Sequence, residues 1–283
     1  RGYYAAEGID LTIVRGQGSG DTAVKIDLKQ AQFGIADTPT AITAISKGAE
    51  IVIVGMVFDK AANNMFFYKD ANIRSPKDLV GKSVAIPPGD SHRTLWPAFA
   101  RANKIDPDSI TIVNVKPEGK PTIVAAKRVD ASFDLVTGFP LYEKALGKGQ
   151  VGNLLWADWG LELYGLSYIV HKDLVKSNPD LIRRFLRATY KGWSDMAAKP
   201  QEGIDTMLAE VAGLDREVYM EMSRYVLQLV VTDRARQNGL GWIVPDVMQK
   251  TVDLTYAGGA MGKAVPADQV YTNAFNPKVI PGK

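Results

Sequence analysis

The sequence predicts an α/β fold arranged as two lobes, with a helical C-terminal part. Over the first two-thirds of the chain, short β-type runs alternate with stretches of helical spacing, the pattern of βαβ units. These runs fall into two blocks with no flexible linker between them, so the chain is expected to cross between lobes more than once. After His171 the pattern changes to helices alone. A length of 283 residues suits two domains or one large one.

Residues 1–8 read as the end of a helix ahead of a strand at 9–14, so chain upstream of Arg1 is expected, a cleaved targeting segment included. The turn-rich Gly16–Gln17–Gly18–Ser19–Gly20 leads into helical spacing over 21–29 and a strand at 32–36. Asp37–Thr38–Pro39 has the form of a helix start, a capping side chain followed by proline in the first turn, and opens a helix through Lys47. Residues 51–57 form a continuous run rich in β-branched side chains, the pattern of a strand covered on both faces, and we expect it in a parallel sheet. In the second block, strands are expected at 65–68, 83–86, 110–115, 131–136 and 166–171. Between them come one turn of helix at 75–81 closed by Gly81, then helices at 91–103 and 122–127. Pro97 conflicts with the first of these, because proline lacks the N–H and clashes with the preceding turn. Asn178–Pro179–Asp180 caps a long amphipathic helix ending near Pro200, and helices follow at 202–212, 216–229 and 245–257.

Composition closes off several function classes. Hydrophobic residues make up 46% and charged residues 23%, an ordinary globular balance. Lys plus Arg number 34 against 31 Asp plus Glu, and a net charge of +3 gives no basis for nucleic-acid binding. The longest apolar runs, such as 51–54 and 227–231, fall far short of a membrane span. The absence of cysteine excludes disulfides, thiol catalysis and cysteine-ligated zinc or iron–sulfur sites, and fits an exported protein. Two histidines, His92 and His171, cannot make a histidine-rich metal site. There is no Ser–His–Asp order, nucleotide-binding loop or pair of carboxylates at a catalytic spacing. The expectation is a protein that is not an enzyme and needs no cofactor or metal.

The stretch Ile73–Arg74–Ser75–Pro76–Lys77–Asp78–Leu79–Val80–Gly81–Lys82–Ser83–Val84–Ala85 resembles the start of the second domain in solute-binding proteins of bacterial ABC importers. Three more stretches are similar to one branch of them, which serves nitrate, sulfonates, taurine and thiamine-pyrimidine precursors. They are Gly2–Tyr3–Tyr4–Ala5–Ala6–Glu7–Gly8–Ile9–Asp10, Gln32–Phe33–Gly34–Ile35–Ala36–Asp37 and Tyr271–Thr272–Asn273–Ala274–Phe275–Asn276–Pro277. Together the motifs span essentially the whole chain. The resemblance implies a type II periplasmic-binding-protein fold, with lobe one made of residues 1–66 and 170–283, lobe two of 67–169, and the family's first strand upstream of Arg1. It implies a periplasmic or membrane-tethered carrier that holds a small-molecule ligand in the interlobe cleft and delivers it to the permease subunits of an ABC transporter. We expect a monomer with only peripheral contact to that membrane complex and no nucleic-acid partner. Enzymes of thiamine-pyrimidine and menaquinone synthesis share the scaffold, but the pyrimidine-making relatives rely on a cysteine-rich, iron-associated segment that this chain lacks.

In open α/β sheets, ligands lie beyond the carboxyl ends of strands, against helix N-termini and loop glycines. On that rule the loop with Gln17, Gly18 and Ser19 offers backbone N–H groups and the Gln17 amide, its alternative being a plain turn. Asp37 and Thr38 cap a helix and sit where they also reach a ligand. Gly89–Asp90–Ser91–His92 opens a helix whose free N–H groups favour an anion, with the charge of Asp90 opposing one; Arg93 is left as a surface residue. Thr137, Gly138 and Phe139 end a strand of the second block. Phe58, Trp156, Trp159 and Tyr164 lie near hinge crossings expected at 66–69 and 164–170, and Trp159 or Tyr164 is expected to stack on a planar ligand. Arg183, Arg184 and Arg187 follow helical spacing and read as a solvated face. Asp37 and Asp90, offset only by His92 and Arg93, suit a small aromatic or heteroaromatic ligand with N–H donors. A pyrimidine-like molecule is favoured over an aromatic acid, and both over nitrate or an alkanesulfonate.

Overall fold

The computed structural model describes residues 1–282. Its N-terminal part runs α1 (Tyr3–Ala6), α2 (Ser19–Asp27), β1 (Gly34–Asp37), α3 (Thr38–Ser46) and β2 (Ile51–Met56). The middle part holds β3 (Asn63–Tyr68), β4 (Ser83–Ala85), α4 (Ser91–Ala102), β5 (Thr111–Val113), α5 (Lys120–Ala125), β6 (Ala131–Leu135), α6 (Phe139–Leu146) and β7 (Val151–Leu155). After β8 (Leu166–His171) come α7 (Lys172–Ser177), α8 (Pro179–Ala198), α9 (Pro200–Glu210), α10 (Arg216–Val230), α11 (Asp233–Asn238) and α12 (Pro245–Ala257). No helix among the described residues is long and apolar enough to cross a membrane.

Lobe one is built on a three-stranded sheet of order β1-β8-β2, and lobe two on a five-stranded sheet of order β5-β4-β6-β3-β7. The expectation of a parallel sheet for 51–57 is corrected: β2 and β1 both pair antiparallel with β8. Among the strands named here only β4 runs parallel, to β5 and β6, while Ile53 of β2 makes a single parallel bridge to Tyr271. Strand direction was not what the apolar run encoded. Ile51 and Ile53 point into one core with Ile42 and Met248, while Val52 and Val54 point into another with Ile182 and Leu186. Helices on both faces therefore demand an apolar residue at every position, whichever way the neighbour runs. Residues 9–14, expected as a strand, lie in no ladder, and Ile13 and Val14 are largely exposed. Val151–Leu155 escaped the sequence reading because Gly152 and Asn153 weaken its strand propensity. α4 continues through Pro97, anchored by the buried Leu95, Trp96, Ala98 and Phe99 around it.

The chain leaves the first sheet after Met56, joins the second at Asn63, and returns between Leu155 and Leu166, rather than at 66–69 and 164–170. The two crossings run side by side. Ala61 donates its N–H to the Leu163 carbonyl at 2.8 Å, and Gly165 donates to that of Phe58 at 3.1 Å. A side chain at 165 would collide with the Lys60 carbonyl, so this close approach requires glycine. The C-terminal helices touch both lobes: α10 packs on α6, and α12 packs on α3 and α4.

Candidate functional site

Three helix N-termini converge where the lobes meet, those of α2 and α3 from lobe one and α4 from lobe two. Gly18 precedes α2 with φ of +114°, and a Cβ there would strike the Gly89 carbonyl oxygen. A Cβ on Gly89 would in turn lie 2.6 Å from the carbonyl oxygen of Gln17. Two glycines face each other because nothing larger fits while the lobes touch. Gly20 donates its N–H across the boundary to the Gly89 carbonyl at 3.2 Å, so the lobes are closed on one another here. Ser19 ties α2 to α3, its Oγ accepting the Asp37 N–H at 2.9 Å. Gln17 remains exposed, with its N–H donated to Asp21.

Asp37 caps α3 as its position before Pro39 predicts, accepting from the Thr40 N–H at 3.4 Å and the Thr40 hydroxyl at 3.3 Å. Its side chain is completely enclosed, and burial pushes the carboxyl up to about 7; the charge of Asp90 across the boundary adds to this, while the two Thr40 bonds oppose it. Thr38 is spent on structure, its N–H and its hydroxyl both donating to the Gly165 carbonyl, at 2.9 and 2.7 Å.

Asp90 caps α4 by accepting the His92 N–H at 3.0 Å, and its carboxylate also lies 2.6 Å from His92 Nδ1 and 3.1 Å from Lys120 Nζ. Burial alone would raise the Asp90 pKa, but His92 and Lys120 outweigh it and hold the carboxyl below the usual carboxylate range. Lys120 is 5% exposed and bridges Asp90 to Asp134, 2.9 Å away. Burial works against its charge, yet the two carboxylates raise its pKa overall. Lys120 is the member of this group that sequence reasoning missed. The available signal was a cation as the first residue of a helix, where the dipole disfavours it and a carboxylate partner is needed. Arg93 props the same loop, donating to the carbonyls of Pro87 and Ile86.

Ser91, His92, Thr137 and Gly138 are buried at the ends of lobe two's elements that face lobe one. Among the described residues Asn63 Nδ2, His92 Nε2 and Trp156 Nε1 are buried nitrogens with no hydrogen-bond partner. Each is costly to leave unpaired. Phe139 stacks on Tyr225 of α10 with ring centroids 6.0 Å apart. The other rings are placed differently from expectation. Phe58 and Tyr164 are core residues of lobe one, and the Tyr164 hydroxyl accepts the Val244 N–H at 2.8 Å. Trp159 packs on the core of lobe two, and its carbonyl holds Asn103. A ring with neighbours on both faces cannot also stack on a ligand, so the stacking role falls away for Phe58 and Tyr164. The structure thus brings together Gly18, Ser19, Asp37, Gly89, Asp90, Ser91 and His92, with Thr137, Gly138 and Phe139 beside them. Among the described residues no three His, Cys, Asp or Glu side chains are grouped to hold a metal ion.

Comparison with known proteins supports this architecture. The chain is 26% identical to the riboflavin-binding protein RibY of Chloroflexus aurantiacus, covering 98% of this chain and 80% of that protein. It is 24% identical to the formylaminopyrimidine-binding protein of Halalkalibacterium halodurans, over 84% of this chain and 72% of the relative. A third relative, 23% identical over 78% of this chain and 70% of its own, is a 4-amino-5-hydroxymethyl-2-methylpyrimidine phosphate synthase from Legionella pneumophila. Among solved structures, the alkanesulfonate-binding protein SsuA of Xanthomonas axonopodis pv. citri, bound to MOPS, superposes with a TM-score of 0.74. At 19% identity, covering 95% of this chain and 90% of that one, it shows the shared periplasmic-binding-protein fold. Residues 1–203, most of the chain and nearly all of the elements that build the lobe boundary, match the model of one family, and this chain belongs to the NMT1/THI5-like family.

Proposed function

We propose that this chain is the solute-binding component of an ABC importer, an extracytoplasmic carrier that closes two lobes on a small heteroaromatic molecule and passes it unchanged to a membrane permease. The observation that carries the reading is a buried carboxyl at the lobe boundary together with buried, unpartnered nitrogens in lobe two. Lobe one supplies the buried carboxyl of Asp37, an acceptor for N–H donors when ionised. Lobe two holds two such nitrogens among the described residues, Nδ2 of Asn63 at the start of β3 and Nε2 of His92 in the first turn of α4, whose ring packs on Phe133 and Trp156. A pyrimidine edge, with amino donors beside ring-nitrogen acceptors, answers both. Nitrate and simple alkanesulfonates offer acceptors only and leave Asp37 unanswered. Relatives named for binding riboflavin and a formylaminopyrimidine support a nitrogen heterocycle. The synthase relatives bring a rival reading, against which stands a chain without cysteine.

A thermal-shift screen with formylaminopyrimidine, riboflavin, an aromatic acid, taurine and nitrate tests the proposal. A ligand at 100 times its dissociation constant stabilises the fold by about 2.7 kcal/mol, a readily measured change in melting temperature. Stabilisation by a heterocycle, recovered intact by mass spectrometry after incubation, is the expected result. A shift with taurine or nitrate alone would refute the ligand class, and conversion of the recovered heterocycle would refute the carrier reading.

A further inference from the structure

We propose a second ligand site, on the hinge side of the molecule, that takes a small organic anion with an apolar body. A cavity of about 430 Å³ lies there, within the range of small-molecule sites. None of its lining residues belongs to the group at the lobe boundary. Its walls come from both lobes and both crossings: Val136 and Leu155 from lobe two, Tyr225 and Gln228 from α10, and Lys60 and Glu162 from the crossings. Leu163, Leu229 and Val247 complete an apolar floor.

The polar groups around that floor are weighted towards donors and positive charge. Lys60 makes no ion pair among the described residues and lines the cavity as an exposed ammonium. Arg234 spends Nε and Nη2 on Asp59, which leaves Nη1 without a hydrogen bond among the described residues. Its guanidinium is pinned over the Tyr164 ring, 5.6 Å from the centroid. The Tyr225 hydroxyl and the Gln228 amide likewise make no hydrogen bond among the described residues. Glu162 is the one acid lining the cavity, and Lys250 holds it at 2.9 Å. Lys250 is paired with Glu162 and Arg234 with Asp59, so Lys60 and Nη1 of Arg234 are the unspent donors that a carboxylate or sulfonate finds, with the apolar floor for its hydrocarbon body. Because both lobes and both crossings contribute walls, an occupant has different contacts in the open and closed forms and shifts the balance between them.

The probe is 2-naphthoate, titrated calorimetrically into the whole chain, with neutral 2-naphthamide as the charge control. Saturable naphthoate binding is expected, at least tenfold tighter than naphthamide. Lys60→Gln should weaken it about fivefold, and Ala157→Phe, which fills the cavity from the lobe-two side, should abolish it. Asp37→Asn alters the lobe-boundary group without wedging the lobes apart and should leave naphthoate affinity within twofold. The proposal is overturned by the absence of saturable binding, by equal affinity for the amide, by indifference to Lys60→Gln, or by a change beyond twofold in Asp37→Asn. If Ala157→Phe does not fold, the Lys60 variant and the amide comparison decide the matter alone.

Discussion

Asp37 should cost the folded protein stability at neutral and alkaline pH, and replacing it with Asn should return that stability. The carboxyl is 1% exposed, with Thr40 as its only hydrogen-bond donor among the described residues. It titrates near 7 in the closed form against an ordinary value of 3.8. A carboxyl with a raised folded pKa favours folding most below 3.8, and that advantage is lost as pH rises through about 7. Integrated over the interval, the ionised group costs about 4 kcal/mol at pH 8 and less than about 1 kcal/mol at pH 4. Asn caps a helix as well as Asp does, so Asp37→Asn keeps the α3 start and removes the charge. Opening the lobes hydrates Asp37 at lower cost than unfolding, which makes the pH 8 figure a ceiling. Urea denaturation of both proteins at pH 4, 6 and 8 should show a gain for the variant that grows steadily with pH and reaches about 2–4 kcal/mol at pH 8. A gain that is the same at every pH, or none at pH 8, would refute the account of Asp37 as a buried carboxyl held against its charge. The same variant should bind a ligand with N–H donors less tightly, separating what the residue costs the fold from what it contributes to capture.

Four further outcomes follow from the same geometry. Gly89→Val has no left-handed backbone to disturb, yet its side chain meets the Gln17 carbonyl, so small-angle scattering should show lobes that stay apart with saturating ligand while stability changes by less than about 1 kcal/mol. Closure as complete as in the wild type would show that the Gly18–Gly89 contact does not gate it. Lys120→Met strands two carboxylates in lobe two and should cost about 3–5 kcal/mol in urea denaturation; a loss under about 1 kcal/mol would mean the bridge is solvated. Since His92 and Lys120 lower the Asp90 pKa, its contribution should persist above pH 4 and fade as the solution is acidified below that. Tyr164→Phe removes the hydroxyl that accepts from Val244, costing about 1 kcal/mol of stability with ligand affinity unchanged; a tenfold loss of affinity without loss of stability would restore Tyr164 to the site.

What the sequence determined by itself is whatever its near neighbours encode. The start of α3 at Asp37–Thr38–Pro39 and the cap of α8 at Asn178 lie where their side chains predict, and α12 spans Pro245–Ala257 as its spacing predicts, because caps and periodicity act within a turn or two. The three loops that meet at the lobe boundary were legible for the same reason, each holding a glycine or a capping residue ahead of a helix. Partnership between distant segments was not legible. β2 takes its direction from β8, more than a hundred residues later, and its apolar run reports only that both faces are covered. Residues 9–14 have strand-like composition, but a strand exists only where another backbone accepts its hydrogen bonds. Phe58, Trp159 and Tyr164 carry the chemistry of a stacking platform, and only the packing around them decides that they are core or its margin. Lys120 reads as an ordinary surface cation until the fold sets Asp90 and Asp134 on either side of it. Burial and charge pairing depend on which groups approach within a few ångströms, and that distance is fixed by the tertiary structure alone.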